Sequence, residues 1–384
     1  MIAGPAARLQ RLPPYLFAEL NRKKAALAAG GRDIIDLGVG DPDLPTPVHI
    51  VEALRAEAGD PRHHRYPSYD GMPGFRRSVS AWYDRRFGVR LDPDGEVVCL
   101  MGAKDGLAHL PWALFSPGDR ALCPDPAYPV YAAQTMFAGA EPVSFPLLAQ
   151  NGFLPDVDSL PTKGVKAIFL CYPNNPTAAV ADLAFYRRLV DWASRHGVLV
   201  ISDGIYSEIA YGGFTPPSIM QVDGAAEVAV EVHSLSKTYN MTGWRVAMAV
   251  GNRGALAALL QVKTNTDSGV FGAVQHAAIA ALDGPQDCVA ENCRTYQERR
   301  DVLAAGLKKL GFEFELPQAT FYLWLKVPQG YDSMSFTGLL LERAQVMVVP
   351  GVGFGQHGEG YVRLALTIPR QRMEEAVERI GKVL

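Results

Sequence analysis

VKAIFLCYPNNPTAAVADLAFYRRLVDWASRHGVLVISD, residues 165 to 203, opens on an apolar run (VKAIFLCY, 165 to 172) and closes on another (GVLVISD, 197 to 203). Between them LAFYRRLVDWASRHG (183 to 197) spaces its apolar residues by three and four and ends on a glycine. That is the pattern of a helix with one buried face and a left-handed terminus. Strands that are apolar throughout are covered on both faces, and a helix that links two of them makes them parallel. Outward along the chain the same kind of run recurs at EVVCLM (96 to 101), RALCP (120 to 124) and VAVEVHSLS (228 to 236). RVAMAVG (245 to 251) resembles a strand entering from the other direction. The expected fold class is α/β, with a mainly parallel sheet flanked by helices.

After a long helix-like stretch, 286 to 310, the character changes to FEFELP, TFYLWLKV, VMVVPG and YVRLALT with a final helix, MEEAVERIGKVL. This is an α+β pattern. The expected division is a large domain over residues 46–285 and a smaller one over 286–384, with residues 1–45 folded back on it. No internal repeat or low-complexity segment is visible.

In open α/β sheets ligands bind outside the carboxyl ends of the strands. Here Gly102-Ala103-Lys104-Asp105-Gly106 follows the first run, Asp125-Pro126-Ala127-Tyr128 the second, and Tyr172-Pro173-Asn174-Asn175-Pro176 the third. The fourth run ends at Asp203 and the fifth at Ser234-Leu235-Ser236-Lys237. Every cluster falls on one edge of the sheet, which argues for a single site.

The residue types suit that edge. Gly102, opening a helix, lets the backbone N–H groups of Ala103 and Lys104 meet an anion at the positive helix terminus. Ser234, Ser236 and the fork of Arg245 add donors for phosphate oxygens. Asp203 at an apolar strand end needs a cationic partner, and Tyr206, three residues on, can donate to a phenolate. Lys237 among apolar residues loses pKa, which frees its amine for imine formation and proton transfer. Alone, each has a plainer reading: a metal ligand, cap or surface turn for Asp203, a half-buried ring for Tyr206, a turn for Asn175, a solvated side chain for Lys237.

Composition narrows the class. With 384 residues, 48% hydrophobic and 20% charged, the chain can bury one large core or two moderate ones. A net charge of −3 and a pI near 6.3, with no Lys/Arg run, make nucleic acid an unexpected partner. The opening MIAGPAARLQRLPPYLF lacks the parts of a signal peptide, and no apolar run reaches membrane-spanning length, so a cytoplasmic enzyme is expected. The five cysteines form no CxxC pair, and no metal is expected; Cys99, Cys123 and Cys171 lie in apolar runs and read as buried free thiols.

The run Ser234-Leu235-Ser236-Lys237-Thr238-Tyr239-Asn240-Met241-Thr242-Gly243-Trp244-Arg245 resembles the lysine signature of the fold-type I, class I/II aminotransferases. Gly38-Val39-Gly40-Asp41-Pro42, Tyr66-Pro67-Ser68-Tyr69-Asp70-Gly71, Tyr172-Pro173-Asn174-Asn175-Pro176-Thr177, Asp203-Gly204-Ile205-Tyr206 and Tyr361-Val362-Arg363 are similar to the same family, in order. The resemblance implies pyridoxal 5'-phosphate (PLP) as cofactor, carried as a Schiff base on Lys237, which also serves as acid and base. It further implies Asp203 on the pyridine nitrogen, Asn175 and Tyr206 on the phenolic oxygen, and Tyr128 stacked on the ring. The phosphate falls to Ala103, Lys104, Ser234, Ser236 and Arg245, with Tyr66 supplied by the partner of a homodimer. Arg363 takes the substrate α-carboxylate, with Gly40 and Asn175 beside it.

LGVGDPDLPTP, HRYPSYDGMPGF and PDPAYPVY look most like the LL-diaminopimelate aminotransferase-like subgroup, which implies a place in lysine biosynthesis. Two departures, Ala178 after Pro176-Thr177 and Gly204 after Asp203, remove no reactive group. Aspartate-specific members carry a partner-donated arginine near residues 262 to 271. This chain has none there, and Lys263 lacks the fork that would replace it. Asp70 and Asp267 are the acids available for a distal ammonium. The expected reaction is a ping-pong transfer of an amino group to a 2-oxo acid. The rivals are a broad-specificity aminotransferase, a PLP-dependent C–S β-lyase and a non-catalytic PLP-binding regulator.

Overall fold

The computed structural model describes residue 4, residues 6 to 10, residue 12 and residues 16 to 384, with side chains from residue 21 onward in the last block. What was expected of the remaining N-terminal positions lies outside the described residues. In chain order the strands are β1 (Ile35–Asp36), β2 (Val97–Leu100), β3 (Arg120–Asp125), β4 (Glu141–Pro146), β5 (Val165–Cys171), β6 (Leu199–Asp203), β7 (Ala229–Ser234), β8 (Ala247–Gly251), β9 (Tyr322–Lys326), β10 (Val346–Met347), β11 (Val349–Pro350) and β12 (Tyr361–Ala365).

The central sheet has the order β2-β8-β7-β6-β5-β3-β4. All neighbours are parallel except β8, which runs against both β2 and β7, as RVAMAVG suggests. Alternate residues of β5 serve two cores: Ala167, Phe169 and Cys171 face one, and Ile168 and Leu170 the other. Both faces are therefore covered, which explains the unbroken apolar run.

The crossover helix Leu183–His196 shows how the sequence builds the cover. Asp182 caps it by accepting the Phe185 N–H at 2.7 Å, and Gly197 ends it in the left-handed region at φ 63°. Its buried face carries Phe185, Tyr186, Leu189, Val190, Trp192 and Ala193, each large side chain contributing about 1.5–3 kcal/mol over exposure. Helix Ala103–Leu114 follows β2. Its Gly102 cap has φ 85°.

One strand carries no signal in the sequence and one expectation changes. EPVSFP forms β4, an edge strand whose side chains are mostly half-buried or exposed; an edge tolerates prolines and lacks the apolar run that marks a central strand. FEFELP is not a strand. Phe312 and Pro317 point inward while Glu313, Glu315 and Leu316 are exposed, so the alternation belongs to a loop lying on the core.

A second sheet, β11-β12-β9, is antiparallel. The segment from β1 onward is tied to the C-terminal part of the chain: β1 pairs parallel with β10 in a sheet of two, the Ala365 N–H of β12 donates to the Leu37 carbonyl at 2.6 Å, and Arg299, on helix Asp287–Lys309, grips Asp43 with both Nη atoms at 2.6 and 2.8 Å. Asp125, at the end of β3, is another tie. It accepts the N–H groups of Gln356 and His357 at 3.1 and 3.0 Å, so this strand-end acid holds loops together rather than facing a ligand. Cys99, Cys123 and Cys171 are buried free thiols. No helix among the described residues is long and apolar enough to cross a membrane.

Candidate active site

The carboxyl ends of the parallel strands and the entry to β8 surround a cavity of about 590 Å³. Antiparallel β8 starts at this edge, which is why Arg245, just before it, reaches the same rim. Gly40, Ala103, Lys104, Tyr128, Asn175, Asp203, Tyr206, Ser234, Ser236, Lys237, Arg245 and Arg363 all line it. Tyr66 does not. It is 86% exposed and borders a separate surface hollow with His63, Phe271 and Gly269.

Lys237 sits in a one-turn helix, Leu235–Thr238, that continues β7 and is capped by Ser234, whose Oγ accepts the Ser236 N–H at 3.1 Å. Its Nζ donates to the Gly40 carbonyl at 2.9 Å and lies 5.6 Å from the centre of the Phe321 ring. Burial brings its pKa down to about 8; Arg363 and Arg245 push the same way and Asp41 opposes them. The site thus holds an amine that loses its proton near neutrality.

Asp203, at the tip of β6, is buried. Tyr131 donates to its Oδ2 at 2.7 Å, while Oδ1 has no hydrogen-bond partner. Burial raises the carboxyl to about 6 despite the Tyr131 hydroxyl and the nearby Ile205 amide, which pull it down. A buried acceptor left open at a cavity wall is costly unless a donor arrives. Tyr131 went unread in the sequence; its one signal is a place three residues beyond Tyr128, across the start of helix Val130–Phe137. Its ring stacks on Phe169 with centres 5.2 Å apart.

Arg363, on β12, donates from Nη1 to Asn175 Oδ1 and from Nη2 to the Gly38 carbonyl, both at 2.8 Å. Its Nε is buried without a partner. The guanidinium lies 4.1 Å from the ring centre of Tyr322, whose hydroxyl is 3.0 Å from that of Tyr206. Tyr322 is a second residue that no motif marks. A Cβ on Gly40 would stand 2.0 Å from the Tyr322 hydroxyl, so this close approach requires glycine.

Gly102 packs under Arg245, where a Cβ would lie 2.1 Å from Nη2. The helix Ala103–Leu114 has no side-chain cap at this end, so its first amides face the cavity beside a guanidinium, two serines and Thr242. Such a terminus is an anion site. Three residues weighed for the far end of a substrate are already engaged. Lys263 is fully buried between Asp105 and Asp267 at 2.7 and 2.9 Å, and Asp70 pairs with Arg76 at 2.6 Å. None of the three lines the cavity.

An amine of lowered pKa, an anion cradle and an open buried carboxylate form the kind of site that suits an enzyme with a phosphorylated aldehyde cofactor. Residues 32–380 match the family described as aminotransferase class I and II, and the chain belongs to that family. It is 55% identical to the LL-diaminopimelate aminotransferase of Syntrophobacter fumaroxidans, over 98% of each chain. It is 54% identical to the enzyme of that name from Aquifex aeolicus, over 97% of each. Among solved structures, substrate-bound BacF from Bacillus subtilis superposes with a TM-score of 0.95 at 38% identity, covering 99% of this chain and 98% of that one. The chain is accordingly a PLP-dependent aminotransferase, working on amino and 2-oxo acids. The open Asp203 Oδ1 and the cradle at Gly102 fit the ring nitrogen and phosphate of that cofactor.

Proposed function

We propose that the enzyme transfers an amino group from LL-diaminopimelate to 2-oxoglutarate, a step of lysine biosynthesis. The observation that carries the substrate is the full-length identity to relatives of that name.

The residues divide the work as follows. The amides of Ala103 and Lys104, with Ser234, Ser236 and Arg245, hold the phosphate. Asp203 receives the ring nitrogen on Oδ1, Asn175 and Tyr206 donate to the phenolic oxygen, and Tyr128 covers the ring. Bound PLP supplies a carbonyl that condenses with amines and a ring that takes up the electron pair left by the substrate Cα proton. Lys237, whose lowered pKa of about 8 gives it a neutral fraction near neutrality, would take that proton and hold it for return. Arg363 binds the α-carboxylate with the N–H groups its present contacts leave over, including the open Nε, while Gly38 and Asn175 keep its fork oriented. The Tyr322 ring beneath it excludes water and favours the cation.

The proposal includes a large PLP-binding domain over residues 46–285, a smaller one from 286–384 with 1–45, and a cytoplasmic homodimer in which Tyr66 serves the neighbouring site. Its exposure fits a residue that completes another subunit's pocket.

Mixing the PLP-loaded enzyme with single amino donors and following the loss of the visible cofactor band tests the substrate. LL-diaminopimelate is expected to react about tenfold or more faster, per unit concentration, than aspartate, alanine or phenylalanine, while glutamate, the product formed from the proposed acceptor, should also discharge the band. Equal rates with alanine would refute it. A second check is Gly102→Ala. The added methyl strains a residue at φ 85° and displaces the Arg245 guanidinium, so PLP affinity should fall by about ten- to a hundredfold. Titration of cofactor-free protein reads this directly.

A further inference from the structure

Lys263, on helix Arg253–Thr266, has no exposed surface and takes no part in the chemistry above. Its Nζ donates to Asp105 Oδ2 at 2.7 Å and to Asp267 Oδ2 at 2.9 Å. Asp105 is the third residue of helix Ala103–Leu114, and the same Oδ2 accepts the Met101 N–H at 2.8 Å. That bond closes the turn through Gly102 from which the Ala103 and Lys104 amides emerge. His109 Nδ1 stands 2.6 Å from Asp105 Oδ1, and Asp267 Oδ1 accepts the Gly269 N–H at 2.8 Å.

Two physical points set this cluster apart from ordinary packing. Buried ion pairs rarely add stability over apolar residues of the same volume, so stability alone gives little reason for a fully enclosed lysine here. A carboxylate in the first helical turn also puts negative charge beside the place where the helix terminus would receive an anion. Lys263 cancels that charge and fixes the carboxylate that latches the turn.

We propose that Lys263 and Asp105 are positioning residues for the phosphate cradle, holding the turn at Met101 and Gly102 and neutralising the acid next to the bound anion. This rests on the PLP site described above. The pair touches neither substrate nor cofactor and acts through the amides of Ala103 and Lys104.

The test uses the full-length cofactor-free protein, titrated with PLP, with pyridoxal, which lacks the phosphate, and with inorganic phosphate. Lys263→Met and Asp105→Ala are each expected to weaken PLP and inorganic phosphate about tenfold or more while changing pyridoxal affinity less than about threefold. Asp105→Asn keeps an acceptor for the Met101 N–H and should restore PLP affinity to within about threefold of the parent. Should Lys263→Met fail to fold, the contrast between alanine and asparagine at position 105 decides, since Lys263 then keeps Asp267. Equal losses for PLP and pyridoxal, unchanged phosphate affinity in Asp105→Ala, or an asparagine variant as weak as the alanine one would overturn the inference. Failure of the parent protein to bind PLP or phosphate would instead refute the cofactor assignment.

Discussion

Replacement of Lys237 by alanine is expected to lower turnover about 10⁴-fold or more, the upper range for loss of a positioned acid–base group. The effect should not come from unfolding. The lysine contributes one hydrogen bond, to the Gly40 carbonyl, and its burial works against its own charge. A circular dichroism melt of the variant should therefore match the parent within a few degrees. The depressed pKa makes a second, signed expectation. At pH 7 about a tenth of amines with a pKa of about 8 are neutral, against roughly one in three thousand at the ordinary lysine value. The neutral form is the nucleophile. Capture of PLP by the cofactor-free protein should thus accelerate as pH rises toward about 8 and level off beyond it. A rate still climbing steeply near pH 10 would show that Lys237 keeps an ordinary pKa. Turnover within about tenfold of the parent in Lys237→Ala would remove it from the mechanism.

The second large effect is at Asp203, and it has opposite signs for catalysis and stability. Asp203→Asn cannot pair with a cationic ring nitrogen; loss of one partner of a buried charge pair is worth about 3–5 kcal/mol, or roughly 10²–10⁴ in turnover. In the cofactor-free protein the same change should stabilise. Burial lifts the carboxyl from 3.8 to about 6, so the folded chain holds the proton more tightly than the unfolded one. Stability is then lost as pH rises from about 4 through about 6, and at pH 7 the ionised group costs about 3 kcal/mol. Cofactor-free Asp203→Asn should therefore melt above the parent at pH 7 and close to it at pH 4. A variant that melts lower at pH 7, or turns over normally, would contradict the role of the open Oδ1.

The central sheet was legible because its strands are buried on both faces: β5 and β6 read as apolar runs joined by a helix with a capping Asp182 and a terminal Gly197. The cavity residues could be read for a related reason. Strand ends fix where a polar residue must emerge, so Asp203 and Ser234 reach one rim whatever their loops do. What stayed hidden depends on contacts between distant segments. Tyr131 finds Asp203 from 72 residues away and Tyr322 meets Tyr206 from 116 away, and neither carries a local pattern. Lys263 belongs with them: the sequence discounts it only for lacking a fork, and its enclosure between two acids comes from helix packing that no local pattern marks. FEFELP alternates as a strand does and its Glu313 carbonyl accepts the Lys326 N–H of β9 at 3.2 Å, but the pairing does not continue into a ladder.

Reduction of the PLP-loaded enzyme with borohydride, followed by digestion and mass spectrometry, locates the lysine that carries the cofactor. The expected result is a phosphopyridoxyl group on Lys237 alone. A label on Lys104 or Lys263, or none at all, would contradict the assignment of this cavity as the aminotransferase site.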